Sequence, residues 1–371
     1  MQTDSTGTDL NRRTFFKGAS MASMLALMGA VPITAEEANK AAGDKNLPPP
    51  KADPNYKEKP VGPPVKFGVI GLGPQGRDII THLSKLPNAP VVAICDSYKS
   101  TLKRAADSAP NAKGYATAEE LLADANVQAV VIATPTHLHK DLALAAMKTG
   151  KHVYLEAPIA HTIEDARAIA QAAAALPAKQ IFQVGMQFRE NPQHHHVLKF
   201  IRTGATGKPA MSRGQWNKKT NWRKASPNPD REKALNWRLY KDTSLGLVGE
   251  IGIHSLDTAG WYLGSAPVSV TGFGGITQWQ DDREVADTVH VVVEFANGVR
   301  HSWSATLANS FEGEHDIYFG ASAAVLIRDN RAWMFKESDA ELLGWEVYAR
   351  KEDFLDRKST RLNSSHANIS Y

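Results

Sequence analysis

The chain has 371 residues, of which 42% are apolar and 22% charged. This composition is that of a folded protein with room for two domains, and it excludes a fibrous or wholly disordered chain. A formal net charge of +4 gives no support for a nucleic-acid-binding protein.

Residues 1–35 have the pattern of an export signal. Paired arginines at 12 and 13 precede two phenylalanines and a lysine, and a modestly apolar run of small residues follows. This order predicts a twin-arginine signal, and with it an exported protein that is periplasmic or anchored on the outer side of the membrane. An ordinary basic terminus is the alternative.

Two further segments lie outside the predicted domains. Residues 36–64 are rich in proline, lysine and alanine without apolar periodicity, which predicts a flexible linker. Residues 356–371 are polar and aperiodic and resemble the translation of a sequencing adapter, which predicts a non-native tail. The single cysteine, Cys95, excludes an intramolecular disulfide and fits a protein that folds before export.

The first predicted domain covers residues 65–187. Its short apolar runs alternate with helical periodicity, which is typical of an α/β fold with a doubly wound parallel sheet. The predicted strands lie near 66–70, 91–95, 129–133, 151–154 and 180–184, and the helices near 75–86, 98–108, 138–149 and 162–175.

A glycine-rich turn follows the first predicted strand. It consists of Gly71, Leu72, Gly73, Pro74, Gln75 and Gly76. Gly71 permits a tight turn, Gly73 lets the backbone approach a pyrophosphate, and Gly76 lets the following helix pack closely on the strand. The helix N-terminus then faces the phosphates, so the turn predicts dinucleotide binding. A purely structural turn is the alternative.

The predicted coenzyme is NAD. Asp96 ends the second predicted strand, where a carboxylate accepts hydrogen bonds from the ribose hydroxyls and repels a 2′-phosphate. Ser97 and Lys99 keep NADP as an alternative.

The second predicted domain covers residues 188–355. Helical patterns near 190–203 and 247–263 precede strand-like runs near 267–274, 287–295, 299–307, 314–319 and 323–328. Several of these runs alternate polar and apolar residues. They predict an α/β domain with an open, mostly antiparallel sheet that helices cover on one face.

Four motifs, in this order and spacing, resemble the glucose–fructose oxidoreductase and inositol dehydrogenase family. They are the glycine turn, residues 134–139 (Thr-Pro-Thr-His-Leu-His), residues 156–158 (Glu-Ala-Pro) and residues 249–257 (Gly-Glu-Ile-Gly-Ile-His-Ser-Leu-Asp). The resemblance runs from about residue 65 to 354. It implies a Rossmann domain, a C-terminal α/β domain with an open sheet, and an active site in the cleft between them.

The resemblance also implies coenzyme contacts beyond the glycine turn. These are Thr134, Pro135, His139, Glu156 and Pro158. Gln187 is a further predicted coenzyme contact because of its position just after the last predicted strand of the first domain. A strand-ending turn followed by a helix-start histidine is the alternative for residues 134–139. Relatives usually carry a lysine where this chain has Ala157. In them the lysine holds the nicotinamide and polarises the reacting group, so an electrophilic partner is missing here.

His254 and Glu250 are the predicted catalytic residues. Relatives carry an aspartate four residues before a histidine on one helix, and here Glu250 takes the place of that aspartate. A carboxylate beside an imidazole orients it and raises its basicity, which suits a general base for a sugar hydroxyl. A surface pair without chemistry is the alternative from spacing alone.

Aromatic, amide and cationic residues interleave in the second domain, a mixture suited to a hydroxyl-rich ring. The predicted substrate-binding residues are Arg189, Trp216, Lys218, Trp222, Arg223, Trp237 and Asp257. In the alternative interpretation the tryptophans only fill the contact between domains and Asp257 is structural. Gln187 and Arg189 lie where the domains meet and could reach coenzyme or substrate.

Three consecutive histidines, His194, His195 and His196, invite a metal interpretation. Successive residues on a helix point about 100° apart, so the three cannot ligate one ion, and no metal is expected.

Three functions remain open from the sequence. The first is an exported NAD(P)-dependent oxidoreductase that transfers hydride between a sugar or polyol carbon and a tightly bound nicotinamide. The second is a glycosidase or lyase that oxidises its sugar transiently, eliminates and returns the hydride. A coenzyme-loaded sugar-binding protein without turnover is the third. A carbohydrate is the expected partner in each, nucleic acid is not expected, and relatives suggest a homo-oligomer formed through the open sheet.

Overall fold

The computed structural model describes residues 62–226 and 228–341, together with the backbone of a strand at His366–Ile369. The predicted signal, the linker up to residue 61 and most of the predicted tail lie outside these residues. Among the described residues, no helix combines the length and the apolar character needed to cross a membrane.

The first sheet has six parallel strands. They are β1 Phe67–Ile70, β2 Val91–Cys95, β3 Lys113–Tyr115, β4 Ala129–Ile132, β5 His152–Glu156 and β6 Phe182–Gly185. Their order across the sheet is β3-β2-β1-β4-β5-β6. Strands β2 and β3 thus lie on one side of β1, and β4 to β6 lie on the other. This arrangement confirms the doubly wound parallel sheet.

Helices cover both faces of this sheet. They are α1 Pro74–Leu83, α2 Lys99–Ala106, α3 Ala118–Ala123, α4 His139–Lys148 and α5 Ile163–Ala174. In β4, Val130 and Ile132 belong to one buried cluster while Val131 belongs to another. Because alternate side chains of a strand point to opposite faces, a core lies on each side of the sheet.

The second sheet is mixed but mostly antiparallel. Its strands are β7 Pro209–Asn217, β8 Pro267–Gly275, β9 Thr288–Phe295, β10 Arg300–Thr306, β11 Glu314–Gly320, β12 Ala323–Arg328, β13 Arg331–Lys336 and β14 His366–Ile369. The order is β14-β13-β12-β11-β7-β10-β9-β8, and only β7 and β10 pair in parallel. This confirms the predicted second α/β domain.

One face of the second sheet is covered and the other is open. Helices α6 Pro192–Arg202 and α8 Ile253–Leu263 pack on the covered face, and the short α7 Pro229–Leu235 lies in the connection after β7. Strand register places Met211, Val292 and Phe273 together on the opposite face, where they are 46%, 37% and 84% exposed. We call this surface the open face.

Candidate active site

The glycine turn has the backbone that the sequence motif predicts. Gly71 has φ of 90°, in the region that favours glycine, and a Cβ there would lie 2.7 Å from the Ala133 carbonyl oxygen. A Cβ on Gly76 would lie 1.9 Å from the Gly71 carbonyl oxygen. Any larger residue at position 76 would therefore push α1 away from β1.

The middle of the turn is open. A Cβ on Gly73 would meet no protein atom within 4 Å, and no side chain caps the N-terminus of α1, where Gly73 is the N-cap and Pro74 follows. The first N–H groups of α1 are thus free of side-chain acceptors. Open space beside free helix N–H groups fits a pyrophosphate. Leu72 is fully buried, so it offers a ligand only its backbone.

Asp96 is fixed at the edge of this opening. One carboxylate oxygen accepts the Leu72 N–H at 3.0 Å and the other accepts the Tyr98 N–H at 2.9 Å. The carboxylate held in this way repels a phosphate and accepts hydrogen bonds from ribose hydroxyls. This arrangement fits NAD better than NADP.

The turn after β4 contains a donor and a structural histidine. Thr134 Oγ1 is buried without a hydrogen-bond partner, so it remains available to a bound coenzyme. His139 is only 1% exposed, and its two ring nitrogens lie 2.8 Å from the Pro158 oxygen and 2.9 Å from the Thr134 oxygen. His139 therefore joins the loops that carry Pro135 and Pro158, and it has no nitrogen left for a direct coenzyme contact.

Glu156 ends β5 next to the glycine turn. Its carboxylate accepts from Gln75 Nε2 at 3.2 Å and from the Tyr154 hydroxyl at 3.3 Å, and burial raises its pKa. The Ala157–Pro158 peptide bond that follows is cis. Gln187 is exposed just after β6, and its predicted contact with coenzyme stays a prediction.

His254 lies in the first turn of α8. It is half-buried, its Nδ1 has no hydrogen-bond partner, and the Phe188 ring packs edge-on against it at 5.9 Å. Burial lowers its pKa, while the nearby charge of Asp257 acts in the opposite direction. At neutral pH the imidazole is therefore uncharged and able to accept a proton.

The predicted pairing of Glu250 with His254 is wrong. The Glu250 carboxylate accepts instead from Thr136 Oγ1 at 3.2 Å, from Ser244 Oγ at 3.2 Å and from the Leu245 N–H at 3.4 Å. Glu250 lies in a π-helical turn, Val248–Gly252, so the α-helical spacing assumed from the sequence does not hold there.

Glu250 instead connects the second domain to the first domain. Thr136 belongs to the turn after β4, whereas Glu250 precedes α8, and both are buried. Arg238 Nε lies 3.8 Å from the carboxylate. Burial raises the pKa of Glu250, and the charge of Arg238 opposes this rise. Ser244 and Arg238 are site residues that the sequence motifs did not identify, and the contact of Thr136, which lies in the motif at 134–139, with Glu250 joins segments 114 residues apart.

The predicted substrate residues do not form one surface. Trp216 and Trp222 are half-buried and pack against a cluster that contains Leu247 and Trp303, while Trp237 is 9% exposed and faces the His137 ring at 6.3 Å. Of these three, Trp237 matches the alternative in which tryptophans fill the contact between domains, whereas Trp216 and Trp222 pack within the second domain. Substrate contact through their accessible edges stays a prediction.

Most of the predicted charged contacts are used within the protein. Arg189 and Asp257 form a two-point ion pair with bonds of 2.7 and 2.8 Å, and Arg223 pairs with Glu232. The structural interpretation of Asp257 therefore gains support. Lys218 alone of the predicted cations is exposed with no such pairing among the described residues.

The three consecutive histidines have different surroundings. His194 Nδ1 lies 3.1 Å from the Tyr262 hydroxyl, His195 Nε2 lies 2.6 Å from the Arg189 oxygen, and the His196 ring packs against Phe200. Within the described part of the chain, no three histidine, cysteine, aspartate or glutamate side chains are grouped to hold a metal ion.

Two family models match the chain. Residues 65–186 match the oxidoreductase family with an NAD-binding Rossmann fold, and residues 194–322 match the GFO/IDH/MocA C-terminal domain. The chain belongs to the GFO/IDH/MocA family. The open glycine turn and the fixed Asp96 are thus parts of an NAD-binding Rossmann domain.

Curated GFO/IDH/MocA relatives include dehydrogenases. The chain is 30% identical over 200 residues to inositol 2-dehydrogenase of Rubrobacter xylanophilus, and 28% identical over 236 residues to the uncharacterized oxidoreductase YrbE of Bacillus subtilis. These alignments cover 54% and 62% of this chain. They span 52% and 64% of the relatives' own lengths.

Solved structures share the fold at lower identity. Levoglucosan dehydrogenase in complex with NADH and levoglucosan superposes with a TM-score of 0.66 and 21% identity, covering 83% of this chain and 80% of that one. The WlbA dehydrogenase of Bordetella pertussis, in complex with NADH and UDP-GlcNAcA, gives a TM-score of 0.66 and 22% identity, with coverages of 79% and 82%. Both likenesses concern the GFO/IDH/MocA fold.

Proposed function

We propose that the protein is an NAD-dependent oxidoreductase that transfers a hydride between the carbon of a sugar or polyol hydroxyl and the nicotinamide. The observation that carries this proposal is the position of α8. The Glu250 carboxylate just before α8 is bonded to Thr136 of the coenzyme-binding domain, so His254 is held near the carboxyl ends of the parallel strands.

His254 is the proposed general base. Its uncharged imidazole accepts the hydroxyl proton as the hydride leaves the same carbon, and it returns the proton in the reverse direction. When bound, NAD supplies the hydride acceptor. Phe188 packs on one side of the imidazole and limits its orientation.

Arg238 is the proposed electrophilic partner. Relatives place a lysine where Ala157 presents only a methyl group, and Arg238 is the cation beside Glu250. Its side chain is 42% accessible, so the guanidinium retains donors for a substrate oxygen. Glu250 holds Arg238 in place rather than orienting the histidine.

The sugar class is supported by the relatives. Inositol, levoglucosan and UDP-GlcNAcA are hydroxylated rings, and each is named with a protein of similar sequence or fold.

A redox-assisted glycosidase or lyase is the second candidate. Ala157 favours it, because a site without the usual lysine polarises a carbonyl less strongly and is less suited to simple alcohol oxidation. In this reaction His254 takes the hydroxyl proton as the hydride leaves for the nicotinamide, and the C–H beside the new carbonyl becomes acidic. Loss of that proton expels the leaving group, which departs with a proton, and cleaves the glycosidic bond. In the glycosidase water then adds to the double bond, and the hydride returns to the carbonyl carbon.

One assay separates the two candidates. The purified protein is incubated with NAD and either free polyols or aryl glycosides, while absorbance reports NADH and released phenol. Net NADH from a free sugar supports the oxidoreductase. Phenol release without net NADH overturns it in favour of the glycosidase, and neither signal with any tested carbohydrate contradicts both.

We also propose that the protein is exported through a twin-arginine signal and forms homo-oligomers through the open face. The basic and aromatic residues before the apolar run support export. Exposed apolar residues on the open face, with Phe273 at 84%, support self-association.

A further inference from the structure

A cavity of about 210 Å³ lies between the start of α6 and strands β11 to β13 of the second sheet. Phe188 and His194 line it from one side, with their rings stacked 4.5 Å apart. Glu314 and Asp316 line it from β11. Since about 10–15 Å³ is enough for one water molecule, the cavity has room for a ligand of several non-hydrogen atoms.

The rim of the cavity is fixed where the β12–β13 turn meets the start of α6. The turn residues Asp329 and Asn330 line the cavity and have φ of 51° and 57°, as in a two-residue hairpin turn of type I′. Asn191 caps α6 by accepting the Gln193 N–H at 2.9 Å, and its Nδ2 donates to Asn330 Oδ1 at 2.9 Å. The rim therefore has the rigidity expected of a pre-formed ligand site.

The cavity lies beside the proposed catalytic base. Phe188, which lines the cavity, packs edge-on against the His254 ring at 5.9 Å. Ser255, the next residue of α8, donates to the Asp316 carboxyl, which also lines the cavity. A substrate whose reacting carbon lies at His254 can therefore place its other hydroxyl groups in this cavity.

His194 offers the cavity a hydrogen-bond acceptor. The residue is 4% exposed, and burial lowers its pKa to about 4, so the imidazole is uncharged at neutral pH. The Tyr262 hydroxyl donates to the His194 main-chain oxygen at 2.9 Å and lies 3.1 Å from Nδ1. A hydroxyl has one proton to donate, so Nδ1 donates to the Tyr262 oxygen. This leaves Nε2 as an acceptor, without a partner among the described residues.

Glu314 offers a second acceptor. It and Asp316 are two residues apart on β11 and therefore point to the same face of the sheet. Within the described part of the chain, the Glu314 side chain has no hydrogen bond or ion pair. Burial by neighbouring atoms raises its pKa most, the charge of Asp329 adds to this rise, and the charge of Lys218 opposes it. A carboxylate in such surroundings is stabilised by a donor that a ligand supplies.

Carboxyl groups outnumber cations in the lining of the cavity. Glu314, Asp316 and Asp329 contribute three carboxyls, against one arginine, Arg328. The Nε of Arg328 lies 3.6 Å from Asp329 Oδ2, so this cation is already beside a carboxylate. The lining therefore favours a ligand that brings hydrogen-bond donors, and it repels a ligand that brings a negative charge.

We propose that this cavity is a substrate subsite, in which His194 Nε2 and the Glu314 carboxylate accept hydrogen bonds from hydroxyl groups remote from the reacting carbon. The inference rests on the sugar or polyol oxidoreductase proposed above. It narrows the substrate to an uncharged, hydroxyl-rich molecule and excludes acidic sugars.

The main test measures binding without turnover. Calorimetry gives the affinities of the NADH-loaded full chain, whose coenzyme cannot accept a hydride, for D-glucose, myo-inositol and D-glucuronate. The tighter of the two uncharged probes should bind at least about tenfold more tightly than D-glucuronate, in which a carboxylate replaces the primary alcohol of glucose. Glu314→Gln should weaken that uncharged probe by about tenfold, the effect of one charge-assisted hydrogen bond. Glu314→Asp, which keeps the charge, should still discriminate against D-glucuronate.

Glu190→Gln is the matched control, because Glu190 is an exposed glutamate two residues after Phe188 and does not line the cavity. Its affinities should equal those of the unmodified protein. Equal affinities for Glu314→Gln and Glu190→Gln would overturn the subsite. Tighter binding of D-glucuronate than of both uncharged probes, or no binding of any probe, would overturn it as well.

A measurement on the unmodified protein covers the case in which a variant does not fold. Nitrogen NMR of the histidine side chains in the NADH-loaded protein should show the His194 proton on Nδ1, and the Nε2 signal should move when the uncharged probe is added. A proton on Nε2, or an Nε2 signal that no uncharged probe moves, contradicts the proposal.

Failure of the subsite and failure of the proposed reaction give different results. A protein that binds an uncharged probe through Glu314 but never reduces NAD supports the subsite and contradicts the oxidoreductase. A protein that reduces NAD with a sugar, at the same KM in Glu314→Gln and Glu190→Gln, contradicts the subsite alone.

Discussion

His254 is the residue on which the proposed chemistry depends. Its imidazole is uncharged at neutral pH and has an unpartnered nitrogen. We expect His254→Ala to lower kcat by about 10² to 10⁴, the usual contribution of a general base, with NADH affinity unchanged. Steady-state kinetics and calorimetry measure the two quantities.

His82→Ala is the control for that substitution, since His82 is an exposed histidine on α1 whose side chain is 65% accessible. It should retain full activity. An active His254→Ala variant would remove this residue from the mechanism.

Substitutions at Gly73 and Gly76 should affect different properties: the first should affect coenzyme binding, and the second should affect folding stability. A Cβ at position 73 meets no protein atom, whereas one at position 76 would collide with the Gly71 carbonyl. Gly73→Ala should therefore weaken NADH binding by about tenfold or more while changing the unfolding free energy by less than about 0.5 kcal/mol. Gly76→Ala should instead destabilise the domain. Calorimetry and urea unfolding distinguish them, and the opposite pattern would contradict the placement of the pyrophosphate.

The wrong prediction of a Glu250–His254 pair shows that residue spacing alone does not determine where a side chain points. Both residues were identified as neighbours in the site, yet the carboxylate bonds to Thr136 and Ser244. The π-helical turn and the approach of the other domain decide its direction, and neither is visible in a one-dimensional pattern.

At the scale of elements, α8 is anchored to the second sheet through buried polar groups. Ser255, next to His254, donates to the Asp316 carboxyl in β11, and its Oγ lies 3.4 Å from His301 Nε2. Burial raises the pKa of Asp316 to about 7, and the Ser255 hydrogen bond opposes this rise. Helix α8, which carries the proposed base, is therefore bound to β11 through a carboxyl group that is protonated under mildly acidic conditions.

This raised pKa predicts how stability depends on pH. The folded state holds a proton on Asp316 up to about pH 7, whereas the unfolded chain releases it near the ordinary value of 3.8. The contribution is thus full below about pH 4 and is lost as the pH rises through 7, by the order of 4 kcal/mol. Urea unfolding of the unmodified protein and Asp316→Asn should show the difference between their unfolding free energies shrinking or reversing between about pH 4 and pH 7.

Asp107→Asn is the control for this series, because Asp107 is an exposed aspartate just after α2. Its difference from the unmodified protein should stay constant with pH. A constant difference for Asp316→Asn as well would mean that Asp316 does not titrate in this range.

The elements were predictable where their apolar pattern was strong. Strands β1, β2 and β4 are short buried runs next to helical periodicity, and the glycine turn lies between β1 and α1 as expected. Strand β3 was missed because two of its three residues are exposed, and β7 was missed because Pro209–Asn217 alternates mostly polar and small residues. β7 is a strand because β10 and β11 pair with it on both sides.

At the scale of the whole molecule, the contacts between the two domains were the least predictable part. Thr136 meets Glu250 across 114 residues of sequence, and Arg231 meets Thr101 across 130. Each motif indicated its own chemistry, but their mutual geometry depends on how the second domain packs against the first. For this reason the contact between Arg238 and Glu250 emerged only from the structure.

The open face predicts self-association. Phe273 is 84% exposed and shares this face with Val292 and Met211. We expect light scattering to give an oligomer for the unmodified protein and a smaller species for Phe273→Asp, because a buried unpaired charge disrupts an apolar interface. Ile163→Asp, at an exposed apolar residue on α5 that is 65% accessible, should leave the mass unchanged. Equal masses for all three proteins would contradict assembly through this face.

The transfer of hydrogen from substrate carbon to coenzyme tests the central claim most directly. The protein is incubated with NAD and polyols deuterated on their hydroxyl-bearing carbons, and mass spectrometry then weighs the nicotinamide nucleotide released from it. Hydride transfer predicts a deuterium atom on the reduced nucleotide from at least one polyol, and loss of that label in His254→Ala. A nucleotide that never acquires deuterium from any polyol would contradict net hydride transfer from the substrate carbon to the coenzyme.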